Sequence, residues 1–422
     1  MRQVLDEEFS KFYPLAVDTT DGGFFSDIDY KWQLVGPQYK MDVTQARHAW
    51  ASAHAAMFYQ QDNMLHSIAA HGVEFLRRKM WDPEYGGFYS FVDRKGEPLK
   101  ENGKIVKRAY GNAFAVYGLA MCRRAAVDPA ALGSAQEAFR WLDKHSYDPE
   151  YGGYFQFMER DGTPMKEGYR GIPPKDQNSM MHILECLTEL YKVWPDQVVA
   201  ERLRSLLLLI RDKVTTDMGN LVLFFNPDLT PISYRDSDAA VRERNYEFDH
   251  LSFGHDVETA YLMLEASEAL GIKNDAKTLM VGKKMVDHAI RNGWDHERGG
   301  IHDRGYCFKG EERPRIIRKT KEWWSQVEAL NSFLLMSESF PNDELRYHEK
   351  FCEQWEYCKR YLIDPEHGGF YYGGTDIVPD NKFSPKATIW KCNYHTSRAL
   401  INCIKRIEKR DTAGGLGMIT PG

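Results

Sequence analysis

A short glycine-containing pattern recurs along the chain and constrains its fold more than any other feature. Three copies are nearly identical: Asp82-Pro-Glu-Tyr-Gly-Gly-Phe-Tyr89, Asp148-Pro-Glu-Tyr-Gly-Gly-Tyr-Phe155 and Asp364-Pro-Glu-His-Gly-Gly-Phe-Tyr371. Weaker copies begin at Asp18 and Asp295, and a sixth, degenerate copy is centred on Gly219. The first glycines of successive copies are separated by 64, 66, 67, 80 and 69 residues, so six units span almost the whole chain.

Each unit is predicted to contain a turn, a short β-hairpin and two helices. Asp-Pro-Glu favours a turn, the glycine pair permits positive φ, and the aromatic residues that follow suit a strand. Apolar residues at helical spacing occupy much of the remainder, as in 110–120, 183–190 and 257–264. Such elements account for the observed unit length, at roughly 65–80 residues.

The six units predict an all-α fold, an (α/α)6 barrel of six helix-pair repeats with short β-hairpins at one end. An open helical solenoid is the alternative, but no obvious polar capping repeat stands at either end of the chain, which favours closure. We expect residues 1–410 to form this single catalytic barrel. The glycine-rich segment 411–422 is predicted to be a disordered tail.

Composition and charge exclude several classes of protein. Hydrophobic residues make up 43% and charged residues 27%, which is typical of a globular protein. The net charge is −6 and no basic block occurs, so nucleic acid is not an expected partner. No apolar run is long enough to span a membrane. The acidic N-terminus and seven cysteines without a C-x-x-C pair favour a cytoplasmic protein with reduced thiols, monomeric or homodimeric.

Aromatic residues are abundant at 13%, more than a core requires, and sugars stack on such rings. The start of each predicted inner helix carries a polar or aromatic residue, at spacings of 63, 68, 77, 69 and 71 residues. These positions are Arg47, Tyr110, Asn178, His255, Trp324 and His395. In a closed barrel they would line one end of the axis, so a small sugar is the predicted ligand. Of the adjacent Trp323 and Trp324, one is expected to line the cavity.

Two histidines from separate repeats are the main catalytic candidates. His255 lies three residues before Glu258, so that the carboxylate can orient the imidazole or bind substrate hydroxyls, and His395 lies three before Arg398. His182 begins an apolar run, so a functional role and a packing role are both open for it. The remaining histidines considered are assigned to packing or the surface: His54, His66, His71, His288 and His348.

Motifs for other chemistries are absent from the sequence. It contains no H-E-x-x-H segment, no EF-hand loop and no cysteine or histidine pair at zinc spacing, so no metal is expected. Neither G-x-G-x-x-G opening a βαβ unit nor a Walker A segment occurs, and no cofactor is predicted.

Three segments resemble the signature segments of the N-acylglucosamine 2-epimerase superfamily, most of all its cellobiose and mannose 2-epimerase branches. They are Ser252-Phe-Gly-His-Asp-Val-Glu258, Glu322-Trp-Trp-Ser-Gln-Val-Glu-Ala329 and Trp390-Lys-Cys-Asn-Tyr-His-Thr-Ser-Arg398. The resemblance runs from about residue 10 to 408 and implies the same (α/α)6 barrel. Five residues depart from the usual motifs and bear on the subsite for a second sugar, namely Met180, Ser325, Asn393, Thr396 and Ser397.

The resemblance also implies roles for individual residues. His255 and His395 would be the acid/base pair, and His182 would assist near the carbonyl or ring oxygen of the substrate. The sugar would be bound or polarised by Arg47, Tyr110, Asn178 and Glu258, and stacked by Trp324 and Trp390.

The predicted function is cofactor-free epimerisation at C2 of an aldose through a cis-enediolate. The substrate would be a mannose or glucose unit, free or at the reducing end of a β-1,4 disaccharide such as cellobiose. An aldose–ketose isomerase is the nearest alternative, since it shares the enediol. A glycoside hydrolase of (α/α)6 fold would need two carboxylates across the bond, for which Glu258 and Glu328 are the obvious acids. A sugar-binding protein without catalytic activity would not need two axial histidines.

Overall fold

The structure is a computed structural model that describes residues 1–60 and 62–413. Within them the helices are α1 (Arg2–Phe12), α2 (Asp42–Phe58), α3 (Asn63–Phe75), α4 (Ala109–Arg124), α5 (Ala131–Ser146), α6 (Gln177–Val193), α7 (Gln197–Leu209), α8 (Ala239–Arg244), α9 (Tyr246–Asp249), α10 (Phe253–Ala269), α11 (Ala276–Gly293), α12 (Trp323–Ser339), α13 (Tyr347–Tyr357) and α14 (Tyr394–Ala413). The strands are β1 (Lys40–Met41), β2 (Phe91–Val92), β3 (Val106–Arg108), β4 (Phe157–Glu159), β5 (Lys175–Asp176), β6 (Phe224–Phe225), β7 (Leu251–Ser252), β8 (Arg304–Tyr306) and β9 (Arg315–Arg318).

Six helices form a closed inner ring. Each packs against the next in the order α2, α4, α6, α10, α12, α14, and α14 returns to pack against α2. The inner helices are buried over most of their length because each contacts two ring neighbours and an outer helix. The predicted all-α (α/α)6 barrel is therefore confirmed, and the open solenoid is excluded.

The outer layer consists of one helix packed on each inner helix. Five pairs are consecutive in sequence, namely α2–α3, α4–α5, α6–α7, α10–α11 and α12–α13. The sixth pair joins the two ends of the chain, because α1 packs on α14. None of the helices in the described residues combines the length and the apolar character needed to cross a membrane.

The recurrent glycine pattern forms six equivalent turns. Each turn is closed by one antiparallel bridge, and the bridges are Val17–Phe24, Trp81–Phe88, Tyr147–Tyr154, Thr215–Leu221, Trp294–Ile301 and Ile363–Phe370. Gly87 shows why glycine is needed, because its φ is +71° and a Cβ there would lie 2.6 Å from the ring of Trp141. The aromatics predicted to belong to the core are buried, as expected: Phe88, Tyr89, Tyr154 and Phe370.

Short antiparallel strands link neighbouring units at one end of the barrel. The strand that enters an inner helix pairs with a strand of the following unit, giving β1–β2, β3–β4 and β5–β6, while β7, β8 and β9 form a three-stranded sheet. Each of two strands also pairs with the residues that follow it across a second turn. Val92 pairs with Pro98 in this way, and Met158 pairs with Pro164. The predicted hairpins are thus present, and they also tie the repeats together.

A buried lysine connects each regular turn to the unit that follows. The carboxylate of Asp82 accepts hydrogen bonds from the backbone N–H of Glu84, at 3.0 Å, and from Lys107 Nζ, at 3.0 Å. Lys107 also donates to the carbonyl oxygens of Gly86 and Arg160. The same buried pair recurs as Lys40–Asp18, Lys175–Asp148, Lys321–Asp295 and Lys386–Asp364.

The degenerate fourth copy lacks this pair. Four of the lysines stand two residues before an inner helix, and Leu251 occupies that position before α10. This turn keeps the other contact of the regular copies, because Asp256 of α10 accepts from the backbone N–H of Leu221 at 3.0 Å, as Gln45, Asn112 and Gln326 accept from their turns.

Replacing Lys107 by methionine is expected to lower the free energy of unfolding by about 3 kcal/mol, the low end for removal of one partner of a buried ion pair. The loss is limited because Arg160 still binds Asp82, with its Nε 2.9 Å from Oδ2. Urea denaturation measures it. Lys104→Met is the matched control, since Lys104 is 59% exposed in its pair with Glu159 and should change stability by less than about 1 kcal/mol. Equal midpoints for both variants would refute a stabilising role for Lys107.

The predicted boundary at residue 410 falls inside the last helix. α14 continues through Ala413, so residues 411–413 of the predicted tail are helical. The rest of that tail, residues 414–422, lies outside the described residues.

Candidate active site

A cavity of about 190 Å³ opens at the N-terminal ends of the inner helices. All nine residues predicted for the site line it: Arg47, Tyr110, Asn178, His182, His255, Glu258, Trp324, Trp390 and His395. Eight of them lie in the first two turns of inner helices, and Trp390 precedes α14. Three further residues also line it: Trp323, for which the sequence left the choice with Trp324 open, and Glu322 and Tyr372, which were not predicted. Glu322 could have been found, since it directly precedes α12.

The three histidines of the cavity share one arrangement. Each has its Nδ1 next to an oxygen of the protein: Glu185 Oε2 at 2.9 Å for His182, Ser252 Oγ at 2.8 Å for His255 and Glu328 Oε1 at 2.7 Å for His395. With Nδ1 engaged in this way, Nε2 of each ring is left for a ligand. A histidine held so can accept or return a proton at Nε2.

A buried arginine organises the carboxylates beneath the cavity. Arg398 of α14 donates to Glu185, Glu258 and Glu328, which come from three different inner helices. Glu185 also accepts from the hydroxyl of Tyr394. The carboxylate partners of His182 and His395 are therefore fixed by one guanidinium. Neither Glu185 nor Tyr394 was singled out from sequence, although Glu185 stands three residues after His182.

The expected contact between Glu258 and His255 is not formed. Both lie on α10 at i,i+3 spacing, but Glu258 binds Arg398 and its Oε1 is 3.8 Å from Nδ1 of His395. His255 turns instead toward Ser252 and Gln177, whose Nε2 is 3.2 Å from its Nδ1. The orienting role expected of Glu258 thus goes to Ser252, because Arg398 draws the carboxylate toward the barrel axis.

Arg47 and Tyr110 form one wall of the cavity. Arg47 Nη2 donates to the Tyr110 hydroxyl at 2.9 Å, and Nη1 donates to the backbone carbonyl of Trp390 at 3.3 Å. The guanidinium also lies 4.4 Å from the ring centre of Phe114, a cation–π distance. Burial raises the pKa of Tyr110 to about 12, so its hydroxyl remains protonated and can donate to a ligand.

Tryptophans border the cavity on the opposite side. Trp324 lies close to both main histidines, with its ring centre 4.8 Å from that of His255 and 5.8 Å from that of His395. Trp323 also borders the cavity, so both members of the pair reach it, with Trp323 buried against Tyr372. Trp390 stands at the rim, where its side chain is 45% exposed.

A second cavity of about 250 Å³ adjoins the first. The two share Asn178, His255, Glu322 and Trp324 as walls. Carboxylates line it from several elements, and burial raises the pKa of one of them, Asp176, to about 6. Together the two cavities form an open space that extends past the ring of Trp324.

Burial keeps the catalytic candidates uncharged near neutral pH. Burial, followed by the positive charge of neighbouring His182 and His250, lowers the pKa of His255 to about 3. Burial and then Arg47 place the pKa of His395 well below its ordinary value of 6.5, against the opposing effect of Glu258. Both imidazoles are therefore poised as bases rather than as acids in the free protein.

Stability is expected to fall as the pH drops below about 6.5. Five buried histidines have lowered pKa values: His48, His54, His250, His255 and His395. As the pH falls, the unfolded chain binds protons at these rings before the folded protein does. The free energy of unfolding is therefore expected to fall by at least about 1.4 kcal/mol per pH unit between pH 6 and 4, which is the slope for one such group. Melting temperatures measured from pH 7.5 to 4.5 test this, and a flat profile would contradict it.

The other histidines lie away from the cavity. His54 packs on Trp50, His71 contacts the Gly23 carbonyl, and His288 is paired with Asp256. A further cluster, of Glu258, Glu328 and His395, places its ligand atoms within 4.8 Å of one another, as a metal site would. Arg398 already donates to both carboxylates of this cluster, so the protein supplies the cation itself.

Comparison with known proteins shows which family the chain is similar to in sequence and fold. Residues 23–399 match the sequence pattern of the N-acylglucosamine 2-epimerase (GlcNAc 2-epimerase) family. The chain belongs to this family. Its members are carbohydrate epimerases and isomerases, and the protein is accordingly an isomerase.

Individual relatives span nearly the whole chain. A cellobiose 2-epimerase of Ruminococcus albus is 30% identical over 96% of this chain and 98% of its own length. The crystal structure of a sugar epimerase from a ruminal bacterium superposes with a TM-score of 0.83, at 28% identity, over 99% of this chain and 98% of that chain. A D-mannose isomerase of Marinomonas mediterranea is 23% identical over 96% of each chain.

Proposed function

We propose that this isomerase is a sugar 2-epimerase that interconverts the C2 epimers of an aldose without a cofactor. The substrate is a mannose or glucose unit, free or at the reducing end of a β-1,4 disaccharide such as cellobiose. The observation that carries the proposal is the pair His255 and His395, which line one cavity from different helices and both lie close to the ring of Trp324. The similarity to cellobiose 2-epimerases supports it.

In the proposed mechanism the two histidines act on opposite faces of C2. The sugar ring opens, one imidazole removes the C2 proton α to the aldehyde, and a cis-enediolate forms. Rotation about C2–C3 presents the other face to the second imidazole, which is protonated at Nε2 in the substrate complex and returns that proton to C2, while the first imidazole keeps the proton it removed. The two rings thereby exchange the roles of acid and base, which requires Nε2 of both to face the sugar.

Donors at the cavity wall would stabilise the negative charge that develops on the C1 oxygen. Arg47 and Tyr110 already form a hydrogen-bonded pair at this wall, and Asn178 lines it beside them. Preorganised donors of this kind typically contribute about 3–4 kcal/mol each to an oxyanion transition state. His182, held through Nδ1 by Glu185, would assist ring opening at the ring or carbonyl oxygen.

Two other functions make distinct use of the same cavity. An aldose–ketose isomerase would return the proton to C1, and a D-mannose isomerase is among the relatives at lower identity. A glycoside hydrolase needs two carboxylates that flank the scissile bond. Glu258 and Glu328 instead share one guanidinium nitrogen of Arg398, so they lie on the same side of the cavity.

Incubation of the protein with mannose, glucose or cellobiose in deuterated water, followed by NMR, tests the proposal. Epimerisation gives the C2 epimer with deuterium at C2. A ketose product would identify an aldose–ketose isomerase, cleavage of cellobiose would identify a hydrolase, and unchanged sugars with bound-state line broadening would identify a binding protein. Any of these three results would overturn the proposed function.

A further inference from the structure

The three cavity histidines differ in the partner of Nδ1. His182 and His395 face carboxylates, whereas the Nδ1 of His255 faces two uncharged groups, Ser252 Oγ at 2.8 Å and the Gln177 side-chain amide at 3.2 Å. Ser252 and Gln177 are both buried, and they line the adjoining cavity rather than the one that holds the three histidines. Their contacts with Nδ1 place them where they can orient the ring of His255.

The hydrogen-bonding groups around Nδ1 can hold the tautomer of His255 that carries its proton there. If Nδ1 carries no proton, the Ser252 hydroxyl and the Gln177 NH₂ compete for a single lone pair, and Gln177 Oε1 is left buried without a partner. If Nδ1 carries the proton, Ser252 Oγ accepts it, and a half-turn of the amide presents Gln177 Oε1 as a second acceptor. The second arrangement satisfies Nδ1 and leaves the Nε2 lone pair directed at the cavity.

We propose that Ser252 and Gln177 are positioning residues that hold the Nδ1 proton of His255 on two neutral oxygens and so keep its Nε2 lone pair available to C2 of the sugar. This inference rests on the proposed function for its catalytic meaning. It also distinguishes the two bases. His395 shares its proton with a carboxylate, which stabilises an imidazolium, whereas His255 has no such countercharge at Nδ1.

Burial is the largest cause that lowers the pKa of His255, and neighbouring groups add to it. These neighbours are His182 on α6, His250 before α10, His395 on α14 and Arg304 on β8. Four carboxylates also line the adjoining cavity that His255 borders: Asp176, Glu247, Asp303 and Glu322. A new carboxylate directly at Nδ1 would act at hydrogen-bond distance, so its effect on the pKa of His255 should outweigh that of these more distant groups.

Gln177→Glu is the sharpest test, because it gives His255 the carboxylate partner that the other two histidines have. We expect the pKa of His255 to rise by about one unit or more, moving the acid limb of the kcat/KM profile for C2 deuterium exchange upward by the same amount. Ser252→Ala should lower kcat about 10-fold with little change in KM, since an acceptor for the Nδ1 proton is lost and general-base efficiency falls. Ser252→Thr, which keeps the hydroxyl, should restore most of the rate.

Nitrogen NMR of the protein labelled at the histidine rings reads the same change without turnover. In the wild type we expect the Nδ1-protonated tautomer at His255, and in Ser252→Ala a mixture of tautomers. Ser146→Ala is the control, because Ser146 is also buried, lies on the outer helix α5 and donates its hydroxyl to the backbone carbonyl of Phe155. It should leave the tautomer, the rate and the pH profile unchanged.

The inference is overturned if Ser252→Ala and Gln177→Glu both leave the His255 tautomer and the acid limb as in the wild type. It is also overturned if Ser252→Thr fails as badly as Ser252→Ala while both remain folded by circular dichroism. Failure of the proposed function is a separate result, since the wild type would then incorporate no deuterium at C2 while the nitrogen spectra still report on Ser252 and Gln177.

Discussion

Replacing His395 by alanine is expected to reduce C2 deuterium exchange by about 10²- to 10⁴-fold, the usual contribution of a positioned acid or base. His395 is the only cavity histidine that contacts both Glu328 and Arg398, and its ring lies within 6 Å of Trp324. Exchange is measured by NMR on mannose or cellobiose in deuterated water.

His255→Ala should show a loss of the same order, because inversion at C2 needs a proton donor and an acceptor on opposite faces. His348→Ala is the control, since His348 is exposed on the outer helix α13 and should exchange at the wild-type rate. Circular dichroism establishes that each variant is folded. Retained exchange in both His255→Ala and His395→Ala would refute the two-histidine mechanism, whatever the product.

The second large effect is expected for Arg398→Met, which should lower the free energy of unfolding by about 5 kcal/mol, the upper end for a broken buried ion pair. Arg398 is 3% exposed and donates to Glu185, Glu258 and Glu328, so its loss leaves three buried carboxylates without their cation. Burial already raises the pKa of Glu328 above its ordinary value. Chemical denaturation measures the change.

Two further variants separate the buried network from a general effect of charge on α14. Arg406 lies on α14, like Arg398, and forms a partly exposed ion pair with Glu338 of α12. Arg406→Met should lower the free energy of unfolding by less than about 1 kcal/mol. Glu328→Gln combined with Arg398→Met should be more stable than the sum of the two single changes predicts, because one uncompensated charge is gone. Additive losses in the double variant, or an Arg398→Met protein as stable as Arg406→Met, would contradict this account.

Much of the fold could be predicted because it repeats. Six glycine turns at near-constant spacing imply six units, and all six turns form equivalent bridges. The identity of the sixth outer helix could not be predicted in this way, because α1 and α14 lie at opposite ends of the chain and meet only when the ring closes. The lysines that bind the turn aspartates were visible in the sequence two residues before four inner helices, but their burial was not.

The candidate site was predictable in its members and not in its contacts. Positions at the same station of each repeat must meet at one end of a closed ring, and the six residues chosen on that ground line one cavity with the three that the family resemblance added. Partner choice depends instead on side chains that converge from different helices. The i,i+3 rule holds for His182 and Glu185, whose atoms are 2.9 Å apart, and fails for His255 and Glu258.

By itself the sequence determined the repeat number, the all-α class and the family, because turn chemistry, helical periodicity and motif spacing are local properties of the chain. Only the tertiary structure decided which group each histidine binds. Arg398 lies 140 residues from Glu258 and 213 from Glu185, yet it sets the position of both carboxylates. Ring closure brings these groups together in a low-dielectric interior, where each buried charge must find a partner, and that requirement acts through space rather than along the sequence.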